Sequence, residues 1–270
     1  MLTKRIVKES GKFKEKRAKY LKMVDNTKPL AISSSNEKTG GILSFSLPPK
    51  ITCPNSKQCF NICYAVGMYN NEYRKNTPIS WEKNLQIVEN DQKRAIEELS
   101  KVLATKDKTA KKTGKQVLFR IHVSGDFYSL DYVNMWLDLA RKFPDVLMYT
   151  YTKMYYYFKR VDLPTNFKIL LSFMDGIPIE HALTISNDVG RNIAYTTSIE
   201  KFRALPVETR KLFFVCPEIT TKQIIKKKWK EWGYKNMTEA VKEKMKINCR
   251  TCRACFDEGV TTRHILLPEH

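Results

Sequence analysis

The stretch "VLFRIHVSGDFYSLDYVNMWLDLARKFPDVLMYTYT", residues 117–152, decides the fold class. Its first seven residues are mostly apolar and β-branched or aromatic, which predicts a strand over 117–123. Val133, Trp136, Leu137 and Ala140 then recur at helical spacing, and 146–152 returns to a nearly unbroken apolar strand pattern. A strand, an amphipathic helix and a second strand make one unit of a parallel sheet, because parallel neighbours need a crossover and bury both faces.

The same alternation continues outward. Strands are predicted over 42–47, 167–173, 192–198 and 212–216, giving six in all, the first introduced by Gly40 and Gly41 and closed by Pro48 and Pro49. Thr77 as a cap followed by Pro78 predicts one long helix over 78–104, with the lysine-rich 105–115 as a solvated linker. Residues 1–30 carry ten Lys/Arg against three acids and read as a basic arm or frayed helix. The tail reads as basic helices bearing Trp229 and Trp232, then a compact cysteine knuckle. The expected organisation is a basic arm (1–35), an α/β partial (β/α)6 TIM-like barrel (36–218), and a cysteine-rich metal-binding extension packed on it (219–270).

The formal charge is +20 in 270 residues, from 48 Lys+Arg against 28 Asp+Glu. Such an excess repels itself, so nucleic acid or another polyanion is the expected partner. No run approaches the ~18 apolar residues of a membrane span, and the first residues lack the apolar core of a secretory leader. The expected location is the cytoplasm, where thiols stay reduced. Seven cysteines there are more naturally metal ligands or reactive groups than disulfides.

The cysteines fall into two sets. Cys249, Cys252 and Cys255 in CxxCxxC spacing, with Cys216 at the end of a predicted strand, could close around zinc or hold a second iron–sulfur cluster. Cys53, Cys59 and Cys63 follow the first strand, at the carboxyl end of the sheet where parallel α/β folds build their sites. Three thiolates leave a coordination position open for a small ligand, unless His122 or His181 completes the set. His122 and Lys153, near the ends of their strands, are possible substrate-binding groups, with a core histidine and a plain surface lysine as the alternatives. The stretch 151–160 mixes aromatic and basic residues but favours a core role, whereas 222–235 is the better candidate for nucleic acid. No paired carboxylates suggest a nuclease, and Asp126, Asp131 and His122 form only a weak set.

The three-cysteine loop after the first strand, the alternating units and "HVSGDF" at the end of the second strand resemble the radical S-adenosylmethionine (SAM) enzymes. That resemblance implies a 4Fe-4S cluster on Cys53, Cys59 and Cys63 that chelates S-adenosylmethionine, with Ser124, Gly125 and Asp126 near the methionine amine. It implies radical chemistry through a 5′-deoxyadenosyl radical. The CxxxxxCxxxC spacing departs from the usual CxxxCxxC, and Asp126 replaces the usual glutamate. More narrowly, "GGILSFSLPPKITCP", "CYA", "RIHVSGDFYS", "YTYTK" and "CRTCRACF" resemble the bacteriophage gene product 88 family over roughly 38–257. This implies a phage or mobile-element origin, with the host cytosol as the site of action. The alternative reading is a non-catalytic, zinc- or iron–sulfur-stabilised protein that binds nucleic acid.

Overall fold

The structure is a computed structural model that describes residues 11–34, 40–56, 59, 62–114 and 116–269. Residues 1–10 and 35 of the expected arm, and Lys115 of the expected linker, lie outside the described residues. The architecture is mixed α/β with mostly parallel strand pairing, and it divides into two compact units: 1–33 with 43–168, and 34–42 with 169–270.

In the first unit β2 (Leu43–Phe45), β3 (Val117–Ile121) and β4 (Val146–Thr152) run parallel, and β1 (Ile32–Ser33) pairs antiparallel with β2 at one edge. The register sets Leu43 beside Phe119 and Val117 beside Val146. The crossover from β3 to β4 is α5 (Leu130–Lys142), started by the Ser129 hydroxyl, which accepts from the Tyr132 amide at 3.2 Å. Its buried stripe carries Trp136 to ring contacts of 5.5 Å with Phe45 and 5.8 Å with Phe119, so one indole ties the helix to two strands. Past β4, the Asn166 amide nitrogen lies 2.9–3.0 Å from the carbonyls of Ala140, Phe143 and Val146 and pins the end of the crossover.

Two expectations for this unit need correction. The long helix is broken in two: α3 (Asn76–Asn90) stops, and Asp91 caps α4 (Gln92–Thr113) by accepting from the Arg94 amide at 3.0 Å. An aspartate that fits a cap outweighs the continuity of the apolar stripe. The expected linker is the second half of α4. Its residues are good helix formers, Ala110 is buried, and Lys111 pairs with Asp107 one turn away before Gly114 ends the helix.

The described part of the basic arm is likewise ordered. In α1 (Gly11–Leu21) the basic residues share a helix with Phe13 and Tyr20, both buried against Tyr69 and Trp81. The Phe13 and Tyr69 rings are 4.6 Å apart. Arg17 donates twice to Glu82, at 2.8 and 3.1 Å, and the Tyr69 hydroxyl donates to the same carboxylate at 2.7 Å. Glu82 is fully buried, so these donors replace the water it has lost.

In the second unit β5 (Phe167–Met174), β6 (Ile193–Thr197), β8 (His264–Pro268) and β7 (Phe213–Val215) pair parallel in that order. Strand β8 was not among the six expected, and it inserts between two that were. Helices α6 (Ile179–Val189), α7 (Ile199–Ala204), α8 (Val207–Lys211), α9 (Pro217–Lys228), α10 (Met237–Lys244) and α11 (Cys249–Cys252) connect these strands.

Replacing Arg17 with methionine removes two donors from a buried carboxylate and should cost about 3 kcal/mol, the low end for a stripped buried ion because Arg17 itself is partly open. Urea unfolding of R17M beside the R17M/E82Q pair checks this. The second change should recover part of the loss, and equal stabilities for wild type and R17M would refute the account.

Candidate functional site at the carboxyl ends of three strands

Because β2, β3 and β4 are parallel, the segments leaving their carboxyl ends meet along one edge of the first unit. The segment after β2 is the cysteine loop, that after β3 contains 122–126, and that after β4 begins at Lys153. They are joined by specific bonds. The amide of Leu47 donates to the Ser124 carbonyl at 2.9 Å, and the Ser124 hydroxyl donates back to the Leu47 carbonyl at 2.9 Å. The Asn55 side chain donates to the Lys153 carbonyl at 2.9 Å, and the Tyr64 hydroxyl donates to the Val123 carbonyl.

Asp126 is central to this edge. One carboxylate oxygen accepts from the Thr152 hydroxyl at 2.6 Å and the Phe127 amide at 2.8 Å, while the other accepts from the Lys153 amide at 2.8 Å. Burial pushes its pKa up to about 6, against the opposing pull of those three donors, so it is mostly ionised at neutral pH. Gly125 has φ +89°, and a Cβ there would stand 2.8 Å from both the Leu47 Cβ and the Thr52 hydroxyl. Only glycine lets the loop after β3 lie so close to the one after β2.

Ser124, Gly125 and Asp126 therefore lie where the sequence placed them, with the Ser124 hydroxyl and the Asp126 carboxylate engaged within the protein. Lys153 is also at the expected strand end.

The cysteines are positioned by what precedes and follows them. Lys50 has φ +65°, is 5% exposed, and holds its ammonium 5.1 Å from the centre of the Phe13 ring. Thr52, fully buried, donates to the Pro48 carbonyl at 2.7 Å. Beyond the loop, α2 (Tyr64–Tyr69) starts directly after Cys63, which packs on the Phe13, Tyr20, Tyr69 and Trp81 cluster. Burial pushes the Cys53 thiol well above its usual range, with Asp126, Cys63 and Cys59 adding to the effect. Burial also raises Cys59, opposed by the Lys153 ammonium. Cys53 thus feels Cys59 and Cys63, and Cys59 feels Cys63, in addition to burial.

The donor chemistry suits a thiophilic metal, since a cation would relieve the mutual repulsion of ionised thiols. Among the described residues, Ser56, 3% exposed within the same loop, has a hydroxyl with no hydrogen-bond partner. The positions are not closed, however: among the described residues no three His, Cys, Asp or Glu side chains are gathered closely enough to hold a metal ion. Loop residues 57–58 and 60–61 lie outside the described residues.

His122 departs from an ordinary strand residue. It has φ +64°, is 3% exposed, and lies 2.9 Å through Nε2 from the Tyr132 hydroxyl with its ring edge-on to Phe127. Burial lowers its pKa from 6.5 to about 3, helped by Arg120. His181 is exposed on α6. Arg120, absent from the sequence expectations, places a half-buried guanidinium 5.0 Å from the centre of the Tyr151 ring, on the strand face it shares with Ser44 and Tyr149. A charge in an otherwise apolar parallel strand was the available signal.

In the second unit Cys216 ends β7, where its amide donates to the Leu266 carbonyl at 2.9 Å, and it starts α9. Cys249 and Cys252 bound α11, opened by an Asn248/Thr251 capping box. Arg250 donates to the Gly40 carbonyl at 2.9 Å, and a side chain at Gly40 would collide with Asn248, so the knuckle fixes the 40–42 segment.

Two outcomes follow for the strand-end site. The G125A chain should lose the register of the cysteine loop and roughly 2–4 kcal/mol of stability, combining left-handed strain with a forced contact; unchanged amide exchange at Leu47 would contradict this. His122 is neutral in the fold and gains a proton only on unfolding. Its contribution is complete above pH 6.5 and is withdrawn as pH falls toward 3. From pH 7 to 5 this amounts to roughly 2 kcal/mol. An H122N chain, whose asparagine tolerates the left-handed backbone, should lose most of that dependence and keep the smaller part due to His264, also lowered by burial. Denaturant titrations at both pH values measure it, and identical slopes would exclude His122 as the cause.

A family profile described as Gene product 88 matches residues 15–258. The Gene 88 protein of Mycobacterium phage L5 is 30% identical over 200 residues, which span 69% of this chain and 78% of that protein. The Gene 88 protein of Mycobacterium phage D29 is 28% identical over 204 residues, 71% of this chain and 80% of that one. No solved structure matches. Matched along nearly its whole described length, the chain belongs to the gene product 88 family.

Proposed function

We propose that the chain is a phage-encoded iron–sulfur protein of radical-SAM type, a partial (β/α)6 barrel over 36–218 with a cysteine-rich extension, acting on a nucleic acid or nucleotide in the host cytosol. One observation carries the reading: the three-cysteine loop lies at the carboxyl ends of three parallel strands, braced by bonds from the next two strand ends. Cys53, Cys59 and Cys63 would hold a 4Fe-4S cluster. Once reduced by an external one-electron donor, such a centre would supply the electron for reductive cleavage of S-adenosylmethionine to methionine and a 5′-deoxyadenosyl radical.

The protein's own residues position and shield. Asp126 holds the ends of β3 and β4 together through Thr152 and Lys153, and Gly125 allows the cysteine loop to approach. Ser124 and Asp126 set the loop through these bonds, and Ser124, Gly125 and Asp126 would lie near the methionine amine of S-adenosylmethionine. Lys153 supplies the positive charge that favours ionisation of Cys59, and an anionic substrate group would meet the same ammonium. Cys216, Cys249, Cys252 and Cys255 would hold zinc or a second iron–sulfur cluster as a staple.

A second reading keeps both cysteine sets as zinc or iron–sulfur staples on a nucleic-acid-binding protein without chemistry. The +20 charge and the exposed lysines of residues 222–246 support it, since they suit a polyanion without requiring any chemistry. Among the described residues no helix is long and apolar enough to cross a membrane, which suits either reading.

Reconstitution with iron and sulfide without oxygen separates the two. The first reading expects a brown protein whose charge-transfer absorbance is lost in each of C53A, C59A and C63A, and whose reduced-state electron paramagnetic resonance spectrum changes on adding S-adenosylmethionine. A colourless protein holding only zinc, or a cluster indifferent to those three substitutions, would reject it.

A further inference from the structure

We propose that the face formed by α9, the turn after it and α10 binds single-stranded nucleic acid, with Trp232 as a base-stacking platform. The inference rests on the reading that the partner is a nucleic acid, and it assigns that partner a place and a form. Residues 222–246 contain nine lysines against three glutamates, with no arginine or aspartate. All nine lysines are exposed.

The glutamates are partly committed within the segment. Glu239 accepts from the Lys235 amide at 3.0 Å, and Glu243 lies 3.4 Å from the Lys244 ammonium and is held ionised chiefly by a hydrogen bond with Tyr234. Lys226, Lys227 and Lys228 lie in the last turn of α9, where a helix accepts cations readily. That local effect accounts for those three, but Lys230 and Lys235 lie beyond the helix end.

Aromatic groups sit among these charges. Trp232 is 41% exposed in the turn between the two helices. Beside it the Lys230 ammonium lies 5.4 Å from the Trp229 ring centre, and that of Lys244 lies 6.0 Å from the centre of Tyr234. Aromatic faces among lysines match the two needs of a single strand: a surface for unstacked bases and cations for the phosphates between them. A membrane surface shares the charge but also needs a continuous apolar helix face. On α9 Ile219 and Ile225 are buried, leaving Ile224 alone exposed among the isoleucines, so a nucleic acid fits better.

Fluorescence anisotropy of the full chain with a short labelled oligothymidylate tests the proposal, with the matching duplex and anionic phospholipid vesicles as competitors. Wild type should bind the single strand with affinity that falls steeply between 50 and 200 mM salt. W232A should weaken binding roughly 5- to 100-fold, with W232F retaining most of it. The K226A/K227A/K228A chain should lower the log–log salt slope by about 2. Unchanged binding in both variants would move the site elsewhere while leaving a nucleic-acid partner intact. Preference for duplex or vesicles would overturn the single-strand assignment, and no binding by wild type would remove the nucleic-acid reading as well.

Discussion

One buried carboxylate holds the candidate site together. Asp126 accepts from the Thr152 hydroxyl and from the amides of Phe127 and Lys153, so the ends of two strands share an anion, and Gly125 beside it admits the loop from a third. Donors of this kind satisfy most of what water would offer the group, yet burial still leaves its pKa near 6. The arrangement stores an anion beside Cys53 rather than neutralising it. To ionise there, Cys53 and Cys59 must therefore work against burial, Asp126 and neighbouring cysteines, with Lys153 opposing them at Cys59. A bound cation would reverse that balance for Cys53 and Cys59 together.

The strand framework was legible because parallel strands are buried on both faces and read as apolar runs. The six expected strands all exist. What escaped was set by non-local or single-residue effects. Strand β8 is only five residues long and ends in proline, so it becomes a strand through β6 and β7 rather than through its own pattern. The break at Asp91 depends on one cap, and the helical 105–113 depends on Ala110 finding a core and Lys111 finding Asp107. In the last case local charge suggested a loop while packing made a helix.

The site was legible to a similar depth. Residue types with ligand chemistry, Cys53, Cys59, Cys63 and Asp126, stand out in a sequence because their spacing is unusual. Residues that position them do not. Thr52, Asn55, Thr152 and Lys50 are ordinary polar residues whose roles come from contacts made across the strand ends. His122 shows the limit from the other side: chemically it resembles a ligand, but its left-handed backbone and the Tyr132 bond make it part of a buried aromatic group.

Arg17 pairs with the fully buried Glu82, whereas Lys111 with Asp107, Arg141 with Asp138 and Lys211 with Glu208 are largely surface pairs, each worth at most about 1 kcal/mol. Folding thus disposes of little of the +20 excess, and nine exposed lysines crowd into residues 222–246 of the second unit. Bringing like charges together on helices costs more than spreading them, unless an anion is present to be bound. A strand of phosphates meets that condition, and its bases need the kind of exposed ring that Trp232 offers. On the proposed readings the thiol set would take a cation and the lysine face a polyanion, two complements that would offset charges the fold leaves uncompensated.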